Sequence, residues 1–156
     1  MTSDRLNKWL TLGANVGVLI GIVLLIFELN QNREMIRAQT RNDIAQNALS
    51  ILSLTATNEK LSEIVMRANS GDELTPSEYL MYVTRSESIF RHFENTHYQY
   101  RQGMFDDDEY QKHLATVTSV ISRNNGLLVY WCTYKSMYSV PFGNDMDSLL
   151  GSDACD

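Results

Sequence analysis

Between Lys8 and Glu28 the chain carries nineteen consecutive residues without a charge, Trp9 to Phe27. In α-helix, nineteen residues rise roughly 28 Å, close to the hydrocarbon thickness of a bilayer. Hiding such a helix in a soluble core would need an apolar envelope on every face, and a chain of 156 residues has too little left to supply one. A cleaved signal peptide usually ends its apolar core at a small-x-small site. Here the run ends Ile26-Phe27-Glu28-Leu29-Asn30-Gln31, with no such site. The expectation is an uncleaved transmembrane helix over residues 9–29, preceded by a short tail of residues 1–8. The lipid bilayer is then its first partner.

Within that span Gly13, Gly17 and Gly21 recur every fourth residue and form one slowly drifting stripe. Without Cβ atoms there, a second helix can approach closely, so that dispersion and weak Cα–H···O contacts drive association where hydrophobic burial cannot. This predicts transmembrane helix packing through the three glycines, and a homo-oligomer. Asn15 is the strongly polar residue of the span and shares the opposite stripe with Thr11, Ile22 and Leu29. Thr11 and Asn15 are therefore candidates for an intramembrane polar contact, or for the lining of a pore.

Orientation rests on a narrow margin. Arg5, Lys8 and the amino group flank one side of the span, and Arg33, Arg37 and Arg41 the other. The positive-inside rule, with a lead of a single side chain, and the absence of a disulfide framework predict that the C-terminal domain is cytoplasmic. The chain has 19 acidic and 13 basic side chains. Asp4 and Glu28 cancel Arg5 and Lys8, so the whole net charge of −6 falls after residue 29. That balance excludes a nucleic-acid binder, which needs a basic footprint. Cys132 and Cys155 form no Cys-x-x-Cys or Cys/His cluster. Cys132, inside an aromatic run, is expected to pack as a small apolar residue, and a disulfide is the less favoured alternative.

Two prolines and no alternation of β-branched residues predict an all-α fold: the transmembrane helix continues into a long helix, followed by a small antiparallel helical bundle. The soluble helical domain is set at residues 30–142. Met35, Ala38, Asn42, Ala45, Leu49, Leu52 and Ala56 alternate at three and four residues, the spacing of a coiled-coil seam. Ile44, Ala48 and Ile51 form a second line beside it, so residues 30–42 read as stalk and 43–57 as bundle core. Asn58 breaks the helix. Asn69-Ser70-Gly71-Asp72 is a turn. Thr75-Pro76-Ser77-Glu78 is a capping box with proline at the first helical position. Asp106–Asp108 start the next helix, Asn124-Asn125-Gly126 close it, and an aromatic helix runs from Leu127 to Tyr138. Pro141 is expected to stop that helix and to leave residues 143–156 as an acidic flexible tail.

Little in the soluble part reads as chemistry. Glu94-Asn95-Thr96-His97 has the Glu-x-x-His spacing of di-iron bundles, but no second such pair exists. Glu87, Arg91 and Glu94 stand at i, i+4 and i+7 and read better as a charge ladder. His92 and His97 are five apart and do not align on one metal; Asp106–Glu109 lacks the spacing and glycine of a calcium loop. No glycine pattern cradles a phosphate. No catalytic residue, metal site or cofactor is assigned, and the chain is not read as an enzyme.

Phe90-x-x-Phe93-Glu94-Asn95, then Tyr98-Gln99-Tyr100-x-x-Gly103, then Tyr130-Trp131 resembles a group of uncharacterised bacterial proteins. These have one N-terminal transmembrane helix followed by a small helical domain. Tyr110 and Asn125 stand where that group has Trp and Pro. The resemblance implies the architecture and no activity. Together these readings predict a single-pass membrane-anchored protein of the cell inner membrane, acting as an oligomeric scaffold or interaction module. Glu94, Tyr98 and Tyr100 form its expected interaction patch, for a further copy or an unidentified protein partner. The alternative is an oligomeric pore with Thr11, Asn15 and Ile22 facing a central axis.

Overall fold

A computed structural model describes residues 2–151 and 153–155. Six α-helices follow one another, α1 Thr2–Ala56, α2 Glu59–Ser70, α3 Pro76–Arg101, α4 Asp107–Ser122, α5 Asn125–Tyr134 and α6 Val140–Leu150, with no strand among the described residues. A single 3-10 turn, Lys135–Met137, joins α5 to α6. The chain divides into two units, Met1–Gln39 and Thr40–Asp156.

The first unit is helix throughout its described length. Its large apolar residues, from Trp9 to Leu29, are all exposed, and none of its apolar window is covered. The core helix of a soluble protein would bury most of such a window. Near the N-terminus, then, the chain has one helix long and apolar enough to cross a membrane.

The second unit is a helical bundle whose joints follow local rules. Asn58 accepts the N–H of Leu61 at 3.0 Å and starts α2. Gly71, at φ +81°, ends α2; its N–H and that of Asp72 return to the carbonyls of Ala68 and Arg67. At the start of α3, Thr75 and Glu78 close the expected reciprocal cap, and Arg67 pairs with Glu78 at 2.8 Å. The core is aromatic. Phe90 and Trp131 are fully buried and stacked at 5.2 Å, with Phe93, Tyr130, Tyr138 and Phe142 around them. Such ring pairs add about 0.5–1.5 kcal/mol each beyond the area they bury.

Four expectations need correction. Pro141 begins a helix instead of ending one: it sits in the first turn of α6, where its missing N–H costs nothing. Most of the supposed flexible tail is consequently α6, fastened by buried Phe142 and Met146 and by Asp147, which accepts from Trp131 Nε1 and Lys135 Nζ, both at 3.0 Å. Cys132 is not a free packing residue, because it is disulfide-bonded to Cys155. Gly126 does not close α4, which ends four residues earlier at Ser122; it lies in the first turn of α5.

The fourth correction concerns α1. Of the two apolar lines over residues 43–57, one faces the bundle: Ile44 is buried and Ala48, Ile51 and Thr55 are half-buried. The coiled-coil line is left outside, with Leu49 at 58% and Leu52 at 64% exposure.

Candidate functional site

The sequence-predicted residues fall in three places. In the first unit, a Cβ built on Gly13, Gly17 or Gly21 would meet nothing within 4 Å. The glycine stripe is open within the chain, like the rest of the apolar window. Thr11 donates its hydroxyl to the Asn7 carbonyl at 2.9 Å, one turn back, and Asn15 is exposed.

The residues of the expected patch, Glu94, Tyr98 and Tyr100, have different surroundings. Glu94 turns toward α6, where one oxygen accepts the backbone N–H of Ser139 at 2.8 Å and the other pairs with Arg91 at 2.9 Å. Burial pushes the Glu94 carboxyl up, but the Ser139 N–H and the Arg91 guanidinium outweigh it and hold it below its ordinary value. Tyr100 stacks on Tyr110 at 3.8 Å and donates to Asp107 at 2.9 Å. Only Tyr98 stands free in solvent, at 56% exposure. The Glu94-x-x-His97 pair also separates: His97 is buried and bonded to Asp145 at 2.8 Å. Among the described residues no three His, Cys, Asp or Glu side chains gather as a metal site needs.

A cleft with binding-site proportions and a mainly apolar lining lies elsewhere, between the second half of α1, α3 and α4. It encloses about 510 Å³, within the range of sites that take drug-sized ligands. Ile44 and Ile51 of α1, Ile89 and Phe93 of α3, and Val120 of α4 give it apolar walls. At one end Arg41 pairs with Glu109 at 2.7 Å; at the other Arg85 Nε donates to Thr55 Oγ1 at 2.9 Å. Fourteen helical residues, roughly 21 Å, separate those two ties along α1.

The polar groups of this cleft are unusual. Arg85 Nη1 and His92 Nδ1 are shut off from solvent and unpaired among the described residues. Burial pulls the Arg85 guanidinium below its ordinary value, against the opposing influence of Tyr82, yet guanidinium stays charged in proteins. Burial also lowers His92. His113, whose ring stands 6.0 Å from that of His92, is lowered to about 4, first by burial and then by its neighbour. Both imidazoles are therefore neutral at pH 7. The sequence carries one signal for this site. Arg85 sits four residues before Ile89 and seven before His92, a charge on the apolar stripe of α3.

No family model, curated relative or solved structure matches the chain.

Proposed function

We propose that the chain is a single-pass membrane scaffold, which self-associates in parallel through the outer line of α1 and carries its bundle as the interaction module. One observation carries this reading. Of two adjacent apolar lines on the same helix, the bundle covers Ile44, Ala48 and Ile51 and leaves Ala45, Leu49 and Leu52 exposed. The uncovered line has coiled-coil spacing, with Asn42 at an a position, where a polar residue fixes register at some cost in stability. Counted along the sequence, Gly21 lies four heptads before Leu49, and Gly17 five before Leu52. Copies anchored in one membrane run parallel, as such a seam requires.

The bacterial resemblance supports an inner membrane. The side of the membrane follows from different support. Disulfides persist in oxidising compartments and are rare in the cytosol. The Cys132–Cys155 bond therefore weighs more than a one-residue charge margin, and we place the soluble domain on the oxidising side instead of in the cytoplasm. The pore alternative has less behind it, because the Thr11 hydroxyl is already bonded within its own helix.

The test is the mass of the full chain in mild detergent, measured by light scattering with the detergent subtracted. The wild type should be a dimer or larger. Leu49→Glu, on the outer line, and Gly17→Ile, on the glycine stripe, should each shift it toward monomer. A wild type that is monomeric at every concentration, or a mass indifferent to Leu49→Glu, overturns the reading.

A further inference from the structure

We infer that the cleft between α1, α3 and α4 binds a single-tailed amphiphilic carboxylate, its head on Arg85 and its tail along the apolar walls. The charge of the lining comes first. Arg41, Arg85 and Lys112 supply three cations, and Glu109 one carboxylate, which is already paired with Arg41. Arg85 donates to a neutral hydroxyl only, and among the described residues no carboxylate pairs with it. A half-buried cation without a counter-ion is expensive, and a buried donor without an acceptor adds to that cost. A carboxylate supplied by a ligand removes both penalties. Planar guanidinium suits it better than any other side chain, through two parallel charge-assisted hydrogen bonds.

His92 Nδ1 is the second unpaired group of the same lining. Because its imidazole is neutral at pH 7, it adds hydrogen-bonding capacity without adding charge. One anionic head therefore matches the charge of Arg85 itself. The apolar walls ask for hydrocarbon: Ile44, Ile51, Ile89, Phe93 and Val120 offer no polar atom from their side chains. A small hydrophilic anion would leave those walls uncovered, and a neutral hydrocarbon would leave Arg85 unpaired. The volume, about 510 Å³, fits a ligand of drug size, as a free fatty acid with one tail is. Ala45 and Leu52 of the outer line also border the cleft, but Arg85 and His92 belong to α3, so Arg85→Met tests this site apart from self-association.

The experiment uses the full chain in phosphatidylcholine nanodiscs and radiolabelled decanoate, with empty nanodiscs to measure partition into lipid. Saturable uptake of one decanoate per chain above the empty discs is expected. Unlabelled decanoate should displace it and decanol should not. Arg85→Met keeps the apolar stem and removes the head partner; it should weaken binding by about tenfold or more, the loss of one charge-assisted hydrogen bond. Ala48→Phe leaves the guanidinium in place and fills the cleft, and should abolish binding. Helicity measured by circular dichroism shows whether each variant folds. Uptake equal to that of empty discs overturns the proposal, as does displacement by decanol equal to that by decanoate. So does undiminished binding by a folded Arg85→Met or Ala48→Phe protein. The wild-type comparison of decanoate with decanol decides the matter even where a variant does not fold.

Discussion

Glu94, in the last third of α3, bonds to a residue forty-five positions later: its carboxylate accepts the N–H of Ser139 at 2.8 Å, one residue before α6 begins. The other oxygen holds Arg91, whose guanidinium lies 4.6 Å from the centre of the Tyr138 ring. One side chain thus ties α3, the 3-10 turn and α6 together. Glu94→Gln keeps a neutral acceptor and loses the ion pair, so it should cost about 1 kcal/mol at pH 7. The folded carboxyl sits below its ordinary value of 4.5. Its contribution is therefore complete above that pH and is lost as pH falls through the lower folded value. Thermal melts of both proteins should differ at neutral pH and converge below pH 4.5. A constant offset down to pH 3 would assign the effect to packing.

Gly126 and Tyr82 are in closest approach across α5 and α3. A Cβ at position 126 would overlap the Tyr82 hydroxyl, lie 2.8 Å from its ring Cζ and 3.3 Å from Asn69 Oδ1. Tyr82 is buried at 5% exposure and cannot swing into solvent. Gly126→Ala, ordinarily favourable inside a helix, should here destabilise by about 1–3 kcal/mol through overpacking. Tyr82→Phe removes the outermost overlapping atom and should recover part of that loss. A neutral or stabilising Gly126→Ala, read by chemical denaturation, would mean that the two helices separate freely.

What the sequence disclosed and what it withheld divide along a physical line. Asn58, Gly71 and the Thr75–Glu78 box were legible because a cap is settled within four residues of chain. The long apolar helix was legible because nineteen uncharged residues in a row suit few other structures. Pro141 was ambiguous on local grounds, since proline both follows one helix and opens the next; Phe142, Met146 and Asp147 decide the matter by packing on α5 and α3. Gly126 carries no local mark of its contact with Tyr82, which is forty-four positions away. The two lines on α1 have the same periodicity, and only the placement of α3 and α4 selects Ile44 and Ile51 over Leu49 and Leu52. Arg85 shows the converse case: its position on an apolar stripe was visible, and its unpaired state was not.

His92 and His113 make the bundle sensitive to mild acid. Both are held below the ordinary 6.5 by burial, His113 to about 4. The unfolded chain takes up these protons first, so stability falls as pH drops below 6.5 and continues to fall toward 4. Their neighbours on α1 and α4 include Arg41, Lys112 and Glu109. Glu109 is engaged by Arg41. His113→Phe removes the more strongly shifted group and fits the apolar contact with Phe93. The variant should show a shallower loss of melting temperature between pH 6.5 and 4 than the wild type. Equal slopes would assign the acid sensitivity to carboxylates alone.

The Cys132–Cys155 bond joins α5 to the residues beyond α6 and closes a loop with a sequence separation of 23. Closing a loop of that size restricts the unfolded chain and is worth about 3 kcal/mol. Two measurements follow. If the domain folds on the oxidising side, cells lysed with an alkylating reagent and no reductant should yield full-length protein without alkyl groups, and prior reduction should expose two thiols to the reagent. A chain recovered with both cysteines already alkylated would return the soluble domain to the reducing side, in keeping with the arginines after the span. Cys132→Ser should lower the melting temperature without unravelling α6, because Phe142, Met146 and the Asp147 contacts with Trp131 and Lys135 still hold it. Loss of the helical signal from α6 in that variant would mean that the covalent link, and not the aromatic packing, keeps the last helix in place.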